Sequence, residues 1–98
     1  MTQSVILATG VTEATSTDVV VAAGAVVTVG MYCLDTDKPV GLEARPIAFS
    51  VLQKTPGADN KIDYLDYSKP TMVLSGPGTF RIKRKVYVGK PFGVFLEV

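Results

Sequence analysis

The stretch STDVVVAAGAVVTVGMYCL, residues 16–34, decides the fold. From residue 19 to residue 34 it carries no charge, yet it is shorter than the roughly 20 residues a membrane-spanning helix needs. It is also dense in valine and interrupted by Gly24 and Gly30, a composition that suits strands. The segment therefore reads as two strands, 18–22 and 25–34, with AAG as the turn between them.

The same pattern continues on both sides. SVILAT (4–9) reads as a first strand ended by Gly10, and DTDKPVG (35–41) as a polar reversing loop. In ARPIAFSVLQKT (44–55), Ile47, Phe49 and Val51 fall on one face of an extended chain. PGADNK (56–61) reads as a turn, and IDYLDYSKP (62–70) as a short strand or a single helical turn. TMVLSG (71–76) and GTFRIKRKVYV (78–88) flank a Gly-Pro-Gly corner, and FGVFLEV (92–98) closes the chain with Val94, Leu96 and Val98 expected to pack. Helical periodicity is nearly absent. The expectation is all-β: one β-sandwich domain over residues 1–98, with seven or eight mainly antiparallel strands, Ig-like or jelly-roll-like.

Ninety-eight residues suffice for a core without metal or disulfide staples. Cys33 is the single cysteine, so no intrachain disulfide forms, and its apolar run suggests a buried, inert thiol in a protein made in a reducing compartment. The N-terminus has no basic flank and too short an apolar core for a secretory signal, which predicts a soluble protein made in a cytoplasm.

Missing residue types narrow the chemistry. There is no histidine, which removes the commonest general base and, with one cysteine, any Cys/His zinc cluster or Ser-His-Asp site. Carboxylates remain: Asp35 and Asp37 form a D-x-D, and Asp59, Asp63 and Asp66 lie close together. No EF-hand spacing follows Asp35, and both groups flank turn residues, where aspartate bonds local backbone N–H groups. GPGTFR is not a phosphate cradle, because Arg81 stands where a third glycine belongs and Pro77 removes a backbone donor. No catalytic residue, metal site or cofactor is expected.

Charge is unevenly placed. Residues 1–66 hold four basic and eight acidic side chains, a balance of −4, whereas residues 67–98 hold six basic and one acidic, a balance of +5. That asymmetry favours contact between unlike protein patches over general affinity for nucleic acid. Four cations, Arg81, Lys83, Arg84 and Lys85, fall within five positions. In an extended chain Phe80, Ile82, Arg84 and Val86 share one face, and Arg81, Lys83, Lys85 and Tyr87 the other. Arg84 breaks the apolar row, so either a bulge sits near it or the strand leaves the core there. The cationic row reads as a solvated, aggregation-resistant face, as a contact for an acidic protein surface, or as a nucleic-acid contact. The last reading lacks the interleaved aromatics of a single-strand binder.

The order STDVVVAAGAVVTVGMY, paired strands, VLSGPGTFRIKRK and GVFLEV resembles small tailed-phage virion structural proteins of the capsid decoration, or cement, type. The resemblance runs from about residue 16 onward. It implies a non-enzymatic β-domain on the virion capsid surface. Such a domain binds the major capsid protein at junctions between subunits, together with further copies of itself, without direct contact to nucleic acid or membrane. On that reading Arg81, Lys83, Arg84 and Lys85 carry the electrostatic part of docking and Tyr87 is an aromatic anchor. Lys69 and Lys90 extend the patch, and Asp59, Asp63 and Asp66 supply contacts between copies. The chain lacks a receptor-binding extension and a long lacing arm, so cementing would come from its compact body. The alternative is a head-fibre or tail module that recognises a host glycan or receptor, with Tyr64 and Tyr67 as its candidate aromatics.

Overall fold

The computed structural model describes residues 2–34, 47–66 and 68–98. Among them are nine strands: β1 (Gln3–Gly10), β2 (Ala14–Thr15), β3 (Val19–Val21), β4 (Val26–Tyr32), β5 (Phe49–Lys54), β6 (Asp59–Leu65), β7 (Thr71–Ser75), β8 (Gly78–Arg84) and β9 (Phe92–Glu97). Two antiparallel sheets pack as a β-sandwich. The first has the order β1-β9-β4-β7. The second has the order β2-β8-β5-β6, with β3 also pairing β8. The shortest extent, 21 Å, is what two layers about 10 Å apart need once their outer side chains are added.

The chain builds this because one parity of nearly every strand is apolar. Val19 and Val21, Val29 and Met31, Phe49 and Val51, Phe80 and Ile82, and Phe92 and Val94 all point between the sheets and are buried. Ile47, Leu7, Leu65 and Leu74 complete the core, and half-buried Cys33 packs against it. The AAG turn lies where the sequence placed it: Ala25 N donates to Ala22 O at 3.0 Å, and Gly24 adopts a φ of 78°, open mainly to glycine. Ser16 joins β2 and β3 to β8, its backbone N donating to Ile82 O at 2.8 Å and its Oγ accepting from Ile82 N at 2.9 Å.

Several expectations change. The two-residue strand β2 has no hydrophobic period and was not anticipated. Strand β6 starts at Asp59, inside the expected 56–61 turn, and residues 62–65 are strand and not a helical turn. Strand β8 stops at Arg84, so Val86 lies outside the core and is 72% exposed. At the C-terminal end, Val94 is buried and Leu96 packs against the core, but Val98 is exposed. The 35–41 loop with Asp35 and Asp37, the 44–46 strand onset and Tyr67 lie outside the described residues.

Candidate interaction site

Strand β8 alternates without interruption: Phe80, Ile82 and Arg84 are buried, while Arg81 and Lys83 face out. Its register with β5 runs unbroken from Phe80 to Arg84, so no bulge re-aims the chain. Arg84 is therefore an inward residue, 4% exposed, and leaves the expected docking set. Its Nε donates to Thr12 O at 2.7 Å, and its Nη1 donates to Ala8 O at 2.8 Å and Phe92 O at 2.9 Å. Three carbonyl dipoles from the first strand, the turn after it and the last strand solvate the buried guanidinium. Five fixed donors in a plane make arginine suited to that task.

The outward row is largely neutralised within the chain. Arg81 Nε donates to Asp18 Oδ1 at 2.6 Å and its Nη1 to Asp59 Oδ2 at 3.3 Å. That pairing, led by the Asp18 hydrogen bond, raises the guanidinium pKa and lowers that of Asp18. Lys83 Nζ stands 4.0 Å from Glu13 Oε2. Lys85 is exposed beyond the end of β8 and forms no ion pair among the described residues. Tyr87 does not continue the row. It is half-buried, its backbone N donates to Val11 O at 3.0 Å, and its hydroxyl accepts from Phe92 N at 2.9 Å while reaching Gly10 O at 3.0 Å and Lys90 O at 2.5 Å. Burial pushes its phenol pKa upward, and its place is to stitch the 85–91 loop to β1. Lys90 is half-buried in that loop.

The remaining candidates are engaged locally. Lys69 Nζ donates to Asp63 Oδ1 at 2.5 Å and lies 5.4 Å from the Tyr64 ring centre, with Lys61 5.6 Å from it. Asp66 accepts from Ser68 N, Ser68 Oγ and Lys69 N, the local turn role expected of aspartate. Hydrogen bonds from Lys69 to Asp63, and from Ser68 to Asp66, hold both carboxyls below the usual range. Asp59 pairs with Arg81. The acids named for contacts between copies are thus occupied within the copy.

The outer face of the first sheet is different in kind. Its registers align Val5, Phe95, Gly30 and Thr71 in one row across all four strands. Gln3, Glu97, Thr28 and Val73 form the next row, and Tyr32 pairs with Gly93. The Phe95 ring lies across Gly30, where an added Cβ would meet Phe95 Cε1 at 2.6 Å; Tyr32 lies close to Gly93 in the same way. Val5, Val26 and Val73 are 59%, 62% and 59% exposed. The charge in these rows is Glu97, which accepts from Gln3 Nε2 at 2.6 Å. A shallow groove of about 360 Å³ lies among Gln3, Ser4, Val5, Tyr32 and Phe95.

Sequence reading missed this face, although a signal for it existed. In β8 one parity is charged, whereas VVTVGMY in β4 and TMVLS in β7 carry no charge on either parity. Strands without a charged parity are buried on both faces or present an apolar surface. Among the described residues no three acidic, cysteine or histidine side chains gather as a metal cluster would require. No protein-family model, curated protein or solved structure matches the chain.

Proposed function

We propose that the chain is a non-enzymatic virion structural protein of the decoration type it resembles. It would bind the outer capsid at junctions between major capsid subunits through the outer face of its first sheet, whose aligned rows carry charge at Glu97 alone. The observation that carries this reading is the contrast between the two faces. On one, Arg81 is already paired to Asp18 and Asp59 and Lys83 to Glu13, while Lys85 stands exposed beyond the strand. The other exposes Val5, Val26 and Val73 around Phe95 and Tyr32. Neutralised cations offer little excess potential to an acidic surface or to phosphates, whereas an exposed apolar patch gains free energy from any apolar cover.

Size supports a shared junction over a single strong contact. Four strands about 4.8 Å apart and five residues at about 3.3 Å each make a patch of roughly 300 Å². That lies at the lower end of the roughly 300–600 Å² usual for the largest apolar patch on a monomer, and it is small beside the roughly 800 Å² per partner of a stable pairwise complex. A domain of this kind holds its place by touching two subunits at once, which raises the effective concentration of the second contact.

Purified protein added back to undecorated capsids tests this. Wild-type chain and the Lys83→Glu/Lys85→Glu variant should both rebind, and Val5→Lys/Val26→Lys should fail to bind while remaining folded. The reverse pattern returns docking to the cationic row. Absence of rebinding by wild type, with glycan-dependent retention on host cells, supports the recognition module and removes decoration.

A further inference from the structure

The four sheet edges are not equally protected. Strand β6 carries Asp59, Lys61 and Asp63, and its register against β5 shifts between Val51 and Leu52. The opposite edge of that sheet is divided between β2 and β3, of two and three residues. In the first sheet, β1 shifts register twice against β9, and its Ile6 carbonyl already accepts from Thr17 N at 3.2 Å. Charge, bulging, shortness and cover are the usual means of blocking edge-to-edge pairing. Among the described residues strand β7 shows none of them: TMVLS is uncharged, and its five pairs with β4 run without a shift.

Hydrogen-bond parity shows what this edge presents. Met31 N donates to Pro70 O at 2.8 Å at one end of β7, and Gly76 N donates to Ala25 O at 3.0 Å at the other. Residues 70, 72, 74 and 76 therefore turn their backbone groups toward β4, because antiparallel pairs alternate. Thr71, Val73 and Ser75 turn three N–H and three C=O groups to the open side. All three residues are exposed, and no described residue bonds those groups.

We infer that β7 pairs antiparallel with β7 of a second copy, about a two-fold axis passing beside Val73. The strand is self-complementary in that register. Val73 meets Val73 of the second copy, Thr71 meets Ser75, and inward Met72 meets Leu74. Each of the three outward pairs exchanges two hydrogen bonds, so six form and no outward group of the strand is left over. No charge opposes another across the pairing, and two four-stranded sheets become one of eight strands with a continuous outer face charged at Glu97 of each copy. This pairing does not depend on what the domain docks to.

Sedimentation of the full chain from micromolar to millimolar concentration should show a reversible monomer–dimer equilibrium. The Thr71, Val73 and Ser75 amides should gain protection from hydrogen exchange as concentration rises, and those of β6 should not. Val73→Pro removes an N–H that the monomer does not use, a position where edge proline is tolerated. With two of six bonds lost per dimer, dissociation should strengthen by about tenfold or more. Val73→Lys, which sets like charges face to face, should do the same while Val73→Thr keeps the dimer. Thermal melting identifies any variant that fails to fold, in which case the lysine variant and the amide protection decide. A wild-type chain that stays monomeric, a dimer indifferent to Val73→Pro and Val73→Lys, or protection at another edge overturns the pairing.

Discussion

Arg84 shows how one side chain can be misjudged by its type and rightly placed by its parity. It shares a face with Phe80 and Ile82, which the alternation of FRIKR already required. A cation there is tolerable because Ala8, Thr12 and Phe92 aim carbonyls at it. Two of those partners lie more than seventy positions away in the chain, beyond the reach of local patterning. Removing the guanidinium takes a donor from each of three carbonyls, and charge-assisted bonds of this kind are worth about 1.5–3 kcal/mol each. Arg84→Ala should therefore lower unfolding free energy in urea by about 3–5 kcal/mol. Arg84→Lys should recover only part of it, since a single ammonium cannot reproduce the planar fork. A loss below about 1 kcal/mol for the alanine variant would mean the carbonyls find water instead.

Along β8 and its neighbours, electrostatics are organised across strands. Arg81 bonds Asp18 beside β3 and Asp59 in β6, so the cationic row is tied to acids on both flanks. Asp18, Asp63 and Asp66 consequently have lowered pKa values, from hydrogen bonds to Arg81, Lys69 and Ser68 respectively. A carboxyl whose folded-state pKa lies below its unfolded value of 3.8 contributes stability above that value. The contribution is lost as pH falls through the lower folded value. Carboxyl titration by NMR should place the Asp18 midpoint below 3.8 in the native chain. Arg81→Gln should move it upward and leave Asp63 in place. An unmoved Asp18 would show that the pair does not persist in solution. The same segment explains why sequence reading left β6 open between strand and helical turn and took its start at Asp59 for a turn. DNKIDYL is an edge strand exposed along most of its length, so no period-two hydrophobicity marks it.

Taken together, the sandwich has one outer face of paired charges and one without them. Docking through the second should be nearly independent of ionic strength. Raising salt from about 0.1 M to about 1 M shortens the screening length roughly threefold and weakens exposed charge contacts. Rebinding to undecorated capsids should persist across that range, whereas steep loss would assign docking to Lys83 and Lys85. Edge pairing through β7 would double the apolar face on one side and leave both charged faces on the other.

Period-two patterning is local, so the strands around residues 16–34, the all-β class, the two-layer sandwich and the inward rows could be read directly from the chain. The partners of Arg81 and Arg84, the exposed face of the first sheet and the open edge of β7 could not. Each arises where strands distant in sequence meet in a particular register, as Asp18 meets Arg81 and Phe95 meets Gly30. A row of like charges in sequence specifies only which side chains share a face. Whether that face is left charged depends on what the fold sets opposite it.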